Sequence, residues 1–237
     1  MKLYLLRHGQ TEGSLRDLYY GAANIPVLPE SLEELHAAAQ RGVYPKAQRY
    51  YTSGLLRTEQ TLAAIYGDVP HTQLPGLREM DFGDFEMHSY EELKDWPSYQ
   101  KWIEDVEHNP CPNGESAPLV LARNLEAIAP VLAADEDAVC VAHGGVISGL
   151  LMTWFGGIRY DYLVRPGTGF AVEVTDGKPQ RCRPIPEDNR ERRGHLYELV
   201  EVSDFSQDGG VRELHEGGGE HELHAVGREP RSAVARG

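Results

Sequence analysis

Arg7-His8-Gly9, Arg57, Glu79 and His143-Gly144-Gly145 are the residues whose types and spacing could do chemistry together. An imidazole works as nucleophile or proton carrier near neutral pH. A guanidinium beside it addresses an anion, because its planar fork of donors matches phosphate oxygens. Two arginines, two histidines and one carboxylate are the parts of a site for a phosphorylated substrate. The cations neutralise the oxygens of the transferring group, one imidazole attacks phosphorus, and the acid protonates the leaving oxygen. A lone histidine at a strand end is more often structural, so the case depends on whether the fold brings these residues to one place.

The elements that carry them share one form. Lys2 to Leu6 reads as a short apolar strand ending at Arg7, with Gly9 allowing the backbone to turn sharply. Tyr50-Tyr51-Thr52 is a second strand, turned by Ser53-Gly54 into a helix from Leu56 to Tyr66 with Leu55, Leu62 and Ile65 as its buried stripe, which sets Arg57 on the first turn. Ala138-Val139-Cys140-Val141-Ala142 is wholly apolar, as a parallel strand covered on both faces should be, and His143-Gly144-Gly145 leads into a helix through Trp154. Three strand-to-helix junctions thus hold Arg7 with His8, Arg57, and His143, and open parallel sheets bind ligands at the carboxyl ends of their strands. Backbone N–H groups of Gly144 and Gly145 at a helix start would favour an anion there. Glu79 lies in a loop, Leu77 to Phe85, with aromatic anchors.

Between these, Ser31-Leu32-Glu33-Glu34 reads as a capping box opening a helix to about Arg41, with Leu32, Leu35 and Ala39 on one face. Leu119 to Leu132 reads as an amphipathic helix with Leu121, Leu125, Ile128 and Leu132 inward. Phe170 to Val174 and Arg181 to Ile185 flank Asp176-Gly177 as a hairpin at the sheet edge. The acidic, aromatic stretch from Tyr90 to Glu107 is expected to form two short helices broken at Pro97, a cap whose Trp96, Tyr99 and Trp102 suit packing better than a substrate platform. The expected architecture is a three-layer α/β/α domain over residues 1–186 with a mostly parallel central sheet and a small helical cap insertion at about 84–115. Residues 187–237 read as an extension with one added strand at His195 to Val202 and then a largely disordered tail.

The chain has 237 residues, 41% hydrophobic, enough for a substantial core. Its formal charge of −14 argues against nucleic acid and anionic membrane, which need a basic face, while leaving small anions open to a local pair of arginines. The apolar runs are too short to span a bilayer and the first residues lack a secretory pattern, so the expected location is the cytoplasm. Cys111, Cys140 and Cys182 are odd in number and widely spaced, and read as free thiols.

Taken together, the chain resembles the histidine phosphatase superfamily, also called the phosphoglycerate mutase-like family, over roughly residues 1–185. Arg7-His8-Gly9 matches its opening motif, Ser53 to Arg57 its Ser-x-x-x-Arg pattern, Leu77 to Glu79 its acid-bearing loop, and Ala142 to Gly145 its Ser-His-Gly-Gly motif. The resemblance implies that His8 is the phosphohistidine, that Arg7, Arg57 and His143 hold the phosphoryl group, that Glu79 is the acid and base, and that no metal or other cofactor is needed. Ser14 stands where the family usually has a phosphate-contacting Asn, Ala142 replaces the hydroxyl residue, Gly54 a Pro, and Met87 the Gly after Glu86.

The function expected is a metal-independent phosphomonoesterase acting on a small phosphorylated metabolite, with α-ribazole phosphate the leading candidate. The alternatives are a phosphoglycerate mutase-type transfer and an inactive member that binds a phospho-ligand. Met80-Asp81-Phe82-Gly83-Asp84 replaces the Glu-Arg-His-Tyr-Gly stretch of the glycolytic mutases, and basic residues for a second phosphate are missing. His215, Glu216, Glu220, His221, Glu222 and His224 have the wrong spacing for a zincin helix and read as a solvated tail. Arg78 and Arg123 read as structural or rim cations, Glu86 as a cap or ion-pair partner on a loop that could line the pocket mouth, and oligomeric state is unreadable.

Overall fold

Along Leu3-Tyr4-Leu5-Leu6 and Ala138 to Ala142 successive side chains alternate between two cores, so these strands must lie in the middle of a sheet covered on both faces. In the computed structural model, which describes residues 1–186, they do. The strands are β1 (Lys2–Arg7), β2 (Arg49–Thr52), β3 (Thr72–Gln73), β4 (Ala138–Ala142), β5 (Gly169–Thr175) and β6 (Lys178–Ile185). The helices are α1 (Glu12–Leu15), α2 (Pro29–Gln40), α3 (Leu56–Tyr66), α4 (Tyr90–Leu93), α5 (Pro97–Glu104), α6 (Ala117–Ala133) and α7 (Gly144–Phe155). The sheet order is β3-β2-β4-β1-β5-β6, with the first four strands parallel, β5 antiparallel to β1 and β6 antiparallel to β5.

Leu3, Leu5, Cys140 and Ala142 pack with Ile128 and Leu132 of α6 and Val146, Ile147 and Leu150 of α7. Tyr4, Leu6, Val139 and Val141 pack with Leu35 of α2 and with Leu62 and Ile65 of α3. This is the three-layer α/β/α arrangement expected. The hairpin turns at Asp176 and Gly177, both at positive φ, and the edge strand β6 carries Pro179 and Pro184, residues that blunt an edge against further pairing. α5 begins at Pro97, where a missing N–H costs nothing, and the cap has its own small core of Phe85, Leu93, Tyr99, Trp102 and Cys111.

Three expectations are corrected and one strand is added. α2 starts two residues before Ser31, with Pro29 in its first turn; the Ser31 hydroxyl, free of the capping box, instead accepts from Gln10 N at 2.9 Å. The inward face of α6 is carried by Val120, Asn124, Ile128, Val131 and Leu132, with Leu121 and Leu125 only half-buried. A two-residue strand, β3, pairs with β2 where the sequence pattern is too short to register. Gly9 is required for space rather than for its turn: a Cβ there would lie 2.8 Å from both Val27 and Leu35. The strand expected at 195–202, the tail and its histidine cluster lie outside the described residues.

Cys111 and Cys140 are buried and Cys182 half-buried, all three unpaired. Among the described residues no helix is long and apolar enough to cross a membrane, and no three His, Cys, Asp or Glu side chains gather into a metal-binding group.

Candidate active site

Parallel pairing sets the strand ends level: Arg7 is in register with Ala142, and Thr52 with Val141. The residues that follow, His8, Ser53 and His143, therefore emerge side by side at one edge of the sheet. Three junctions separated by up to 135 residues in sequence become one site by register alone.

His8 is 2% exposed. Its Nδ1 lies 2.7 Å from the carbonyl oxygen of Gly9, which can only accept, so Nδ1 carries the proton and Nε2 keeps a free lone pair. Burial and the neighbouring cations Arg7 and Arg57 hold the imidazole well below its ordinary 6.5, outweighing the opposing Gly9 bond. Gly9 is fixed in turn by Thr61 of α3, whose Oγ1 accepts from Gly9 N at 2.8 Å. His143 lies beside His8, ring centroids 5.2 Å apart and edge to face. Its Nε2 pairs with Ser53 Oγ at 2.8 Å, its Nδ1 lies 3.3 Å from Arg57 Nε, and burial followed by Arg57 lowers it well below 6.5 as well.

Arg57 is fully buried on the first turn of α3. Two of its terminal N–H groups donate to Ala23 O and Gly21 O, each at 2.7 Å, and its guanidinium lies 5.3 Å over the ring of Tyr20. Desolvation lowers even this guanidinium. Arg7 donates to Val164 O at 2.8 Å, while its buried Nε has no partner among the described residues. The position a Cβ of Gly144 would take is 3.5 Å from Arg7 Cζ, an ordinary contact distance, so the guanidinium lies against the start of α7.

Glu79 arrives from the loop after β3. Its Oε2 accepts from Gly145 N at 2.9 Å and its Oε1 from Met80 N at 3.1 Å, so the anion met by the first turn of α7 is this carboxylate. Arg7, His8 and Glu79 line one pocket of about 160 Å³ together with Leu18, Tyr19, Tyr20 and Phe82. Tyr19 and Phe82 pack against the cap core, which makes the cap the outer wall of the pocket.

Of the residues singled out from sequence, Arg7, His8, Arg57, Glu79, His143 and Gly144 are brought together. Ser14 is not a pocket-lining residue: its Oγ accepts from Thr11 N at 2.8 Å and donates to Thr11 O at 2.9 Å in a capping box on α1. Of the aromatic set of the cap, Tyr99 and Trp102 are buried as packing, whereas Trp96 is exposed. Arg123, read from the sequence as a structural or rim cation, is structural, while Ser53 is a support that sequence reasoning missed. Arg123, a residue of α6, grips the acid loop through Gly76 O (2.9 Å), Arg78 O (2.6 Å) and Glu79 O (3.0 Å) while paired bidentately with Glu115. Nothing local to Arg123 signals its grip on the acid loop, because those carbonyls lie more than forty residues away.

A family model described as histidine phosphatase superfamily (branch 1) matches residues 3–175. The chain belongs to this superfamily. Histidine phosphatases similar to it include an adenosylcobalamin/alpha-ribazole phosphatase of Salmonella typhimurium, 31% identical over 75% of this chain and 92% of the relative. A 2,3-bisphosphoglycerate-dependent phosphoglycerate mutase of Beijerinckia indica is 29% identical over 75% of this chain and 88% of its own length. Among solved structures in the superfamily, a putative alpha-ribazole-5'-P phosphatase from Escherichia coli superposes with a TM-score of 0.71 at 26% identity, covering 78% of this chain and 95% of the other.

Proposed function

We propose that the protein is a metal-independent phosphomonoesterase working through a phosphohistidine on His8. The observation that carries this reading is the Gly9 O contact with Nδ1, which leaves a buried, neutral imidazole with Nε2 available between two guanidinium groups. In the first step Nε2 attacks phosphorus and the P–O bond to the leaving group breaks, while Glu79 in its acid form gives that oxygen a proton. In the second, Glu79 takes a proton from water, the hydroxide oxygen bonds to phosphorus, and the P–N bond breaks to return neutral His8. Arg7 and Arg57 stabilise the equatorial oxygens, each such donor being worth about 3 kcal/mol in systems of this kind. His143, with both ring nitrogens already committed to Arg57 and Ser53, serves first by completing the buried wall around His8, and reaches a phosphoryl oxygen only by releasing Ser53 from its Nε2–H.

Hydrolysis is favoured over mutase transfer by the pocket lining. Arg7 is its single arginine or lysine, and the remainder beyond His8 and Glu79 is Leu18, Tyr19, Tyr20 and Phe82. A substrate with a second phosphate has no cation there to meet it, whereas an apolar or aromatic leaving group finds ring faces. A phosphomonoester such as α-ribazole phosphate, the kind of compound named for the Salmonella relative, fits this lining. The domain that performs the reaction spans residues 1–186, with the cap at about 84–115 selecting the leaving group. Turnover of p-nitrophenyl phosphate and of α-ribazole phosphate by the wild type, its absence in His8→Ala, and no exchange between 2- and 3-phosphoglycerate would support the reading. Mutase turnover exceeding hydrolysis, or activity surviving in His8→Ala, would overturn it.

A further inference from the structure

Glu86 takes no part in these steps, yet its carboxylate accepts from four backbone N–H groups. Gly21 N lies 2.9 and 3.1 Å from its two oxygens, Ala22 N 2.9 Å, Ala23 N 3.1 Å and Phe82 N 3.0 Å. Three of these belong to the loop after α1 and the fourth to the loop that carries Glu79. A carboxylate held by consecutive amides fixes a turn through charge-assisted bonds.

The same loop presents carbonyls to a cation. Gly21 O and Ala23 O accept from Arg57 Nη2 and Nη1, each at 2.7 Å. The loop also sits directly on the acid segment, since a Cβ on Gly21 would fall 1.5 Å from Met80 O. Peptide units of residues 21–23 are therefore held by an anion through their N–H groups and by the Arg57 guanidinium through their carbonyls. Their dipoles join two side chains of opposite charge across a single turn.

We infer that Glu86 is the positioning residue for Arg57: it fixes the 21–23 turn whose carbonyls aim the guanidinium at His8, and through Phe82 N it ties that turn to the loop of Glu79. It acts through these backbone groups and does not touch the substrate. This inference rests on the phosphohistidine reading of the same site.

The test is a double-mutant cycle of Glu86→Gln with Arg57→Ala, read as kcat/KM on p-nitrophenyl phosphate across pH, orthophosphate affinity by calorimetry, and Tm. Glu86→Gln replaces one acceptor oxygen with an NH2 group, which leaves part of the turn without a partner. The expected result is a loss of about 10-fold in both kcat/KM and orthophosphate affinity, with the double variant no more than about 3-fold below Arg57→Ala alone. The acid limb of kcat/KM should also move to higher pH. Arg57 is one of two cations facing His8, alongside Arg7, the rings of His143 and Tyr20 and the Glu79 carboxylate, and its displacement eases protonation of His8.

Multiplying losses in the cycle, an unmoved acid limb, or wild-type orthophosphate affinity in Glu86→Gln would overturn the assignment. Should Glu86→Gln not fold, Glu86→Asp keeps the charge but shortens the reach by a methylene, and is read the same way. A wild type that binds orthophosphate but hydrolyses no phosphomonoester defeats the phosphatase reading and leaves Glu86 to be decided by orthophosphate affinity. A wild type that binds no orthophosphate defeats both.

Discussion

Arg57 Nε lies 3.3 Å from Nδ1 of His143, and that contact fixes the protonation of the second histidine. A guanidinium can only donate, so Nδ1 accepts and the ring proton sits on Nε2, where it is given to Ser53 Oγ at 2.8 Å. His8 has the opposite tautomer, with its proton on Nδ1 toward Gly9 O. Two imidazoles 5.2 Å apart are thus both neutral and differently oriented, one with a lone pair available and one with both nitrogens occupied.

Ser53 is the far end of this arrangement, fully buried and also in contact with Thr58 Oγ1 at 3.2 Å. Ser53→Ala leaves the Nε2–H of His143 without an acceptor in a site closed to water, which costs about 1–3 kcal/mol. Urea denaturation of the variant should show a lower midpoint at unchanged slope, and kcat/KM should fall about 10-fold as the ring loses its orientation. An unchanged midpoint would mean that His143 is held by Arg57 alone.

The two depressed histidines also set a pH dependence of stability. His8 and His143 both titrate well below 6.5 in the folded chain, so between that folded value and 6.5 the unfolded chain binds protons that the folded chain does not. Stability is therefore complete above about pH 6.5 and falls as the pH drops below it, by up to about 1.4 kcal/mol per pH unit for each histidine. Replacing either one by Asn should flatten that slope below pH 6.5, as measured by denaturant titration at several pH values, while leaving stability at pH 8 governed by packing.

How much of this was legible beforehand follows from the range of the interactions. The strand ends and the helix carrying Arg57 could be read locally, because an apolar run followed by glycine and a 3.6-residue stripe are properties of neighbouring residues. Convergence of Arg7, His8, Arg57 and His143 follows once those strands are taken as parallel. The start of α2 was not legible: Ser31 and Glu34 have the spacing of a capping box, but tertiary contact with Gln10 N claims the Ser31 hydroxyl, and Pro29 opens the helix instead. The inward face of α6 was legible at Ile128 and Leu132 but not at Asn124, a polar residue buried beside Arg123 that accepts from it at 3.1 Å. Ser14 could be placed by resemblance but not oriented, since a short hydroxyl three residues after Thr11 is captured by the helix cap.

Arg123 supports Glu79 only through its fork of donors, so charge alone should not replace it. Arg123→Lys keeps the cation but cannot pair bidentately with Glu115 and reach three loop carbonyls at once. The expected result is a modest loss of stability, about 1–2 kcal/mol given the partial exposure of the pair, with a larger proportional loss in kcat than in KM. Wild-type kcat in this variant would show that the acid loop is held in place by Leu77 and its packing alone.

Gly145 offers a separation of activity from stability. It lies within the first turn of α7, and it is not among the glycines at positive φ, so alanine is permitted by the backbone and favoured by helix propensity. The added Cβ would nevertheless lie 2.5 Å from Oε1 of Glu79 and 3.1 Å from its Cδ. The carboxylate must swing away, breaking its 2.9 Å bond from Gly145 N and leaving the place from which it would exchange a proton with the leaving oxygen. Gly145→Ala should therefore keep the wild-type Tm to within a few degrees while losing about 100-fold in kcat on an alkyl phosphate. Because p-nitrophenolate leaves without help from an acid, the deficit on p-nitrophenyl phosphate should be smaller. Equal losses on the two substrates would place the damage in phosphoryl binding rather than in proton transfer by Glu79.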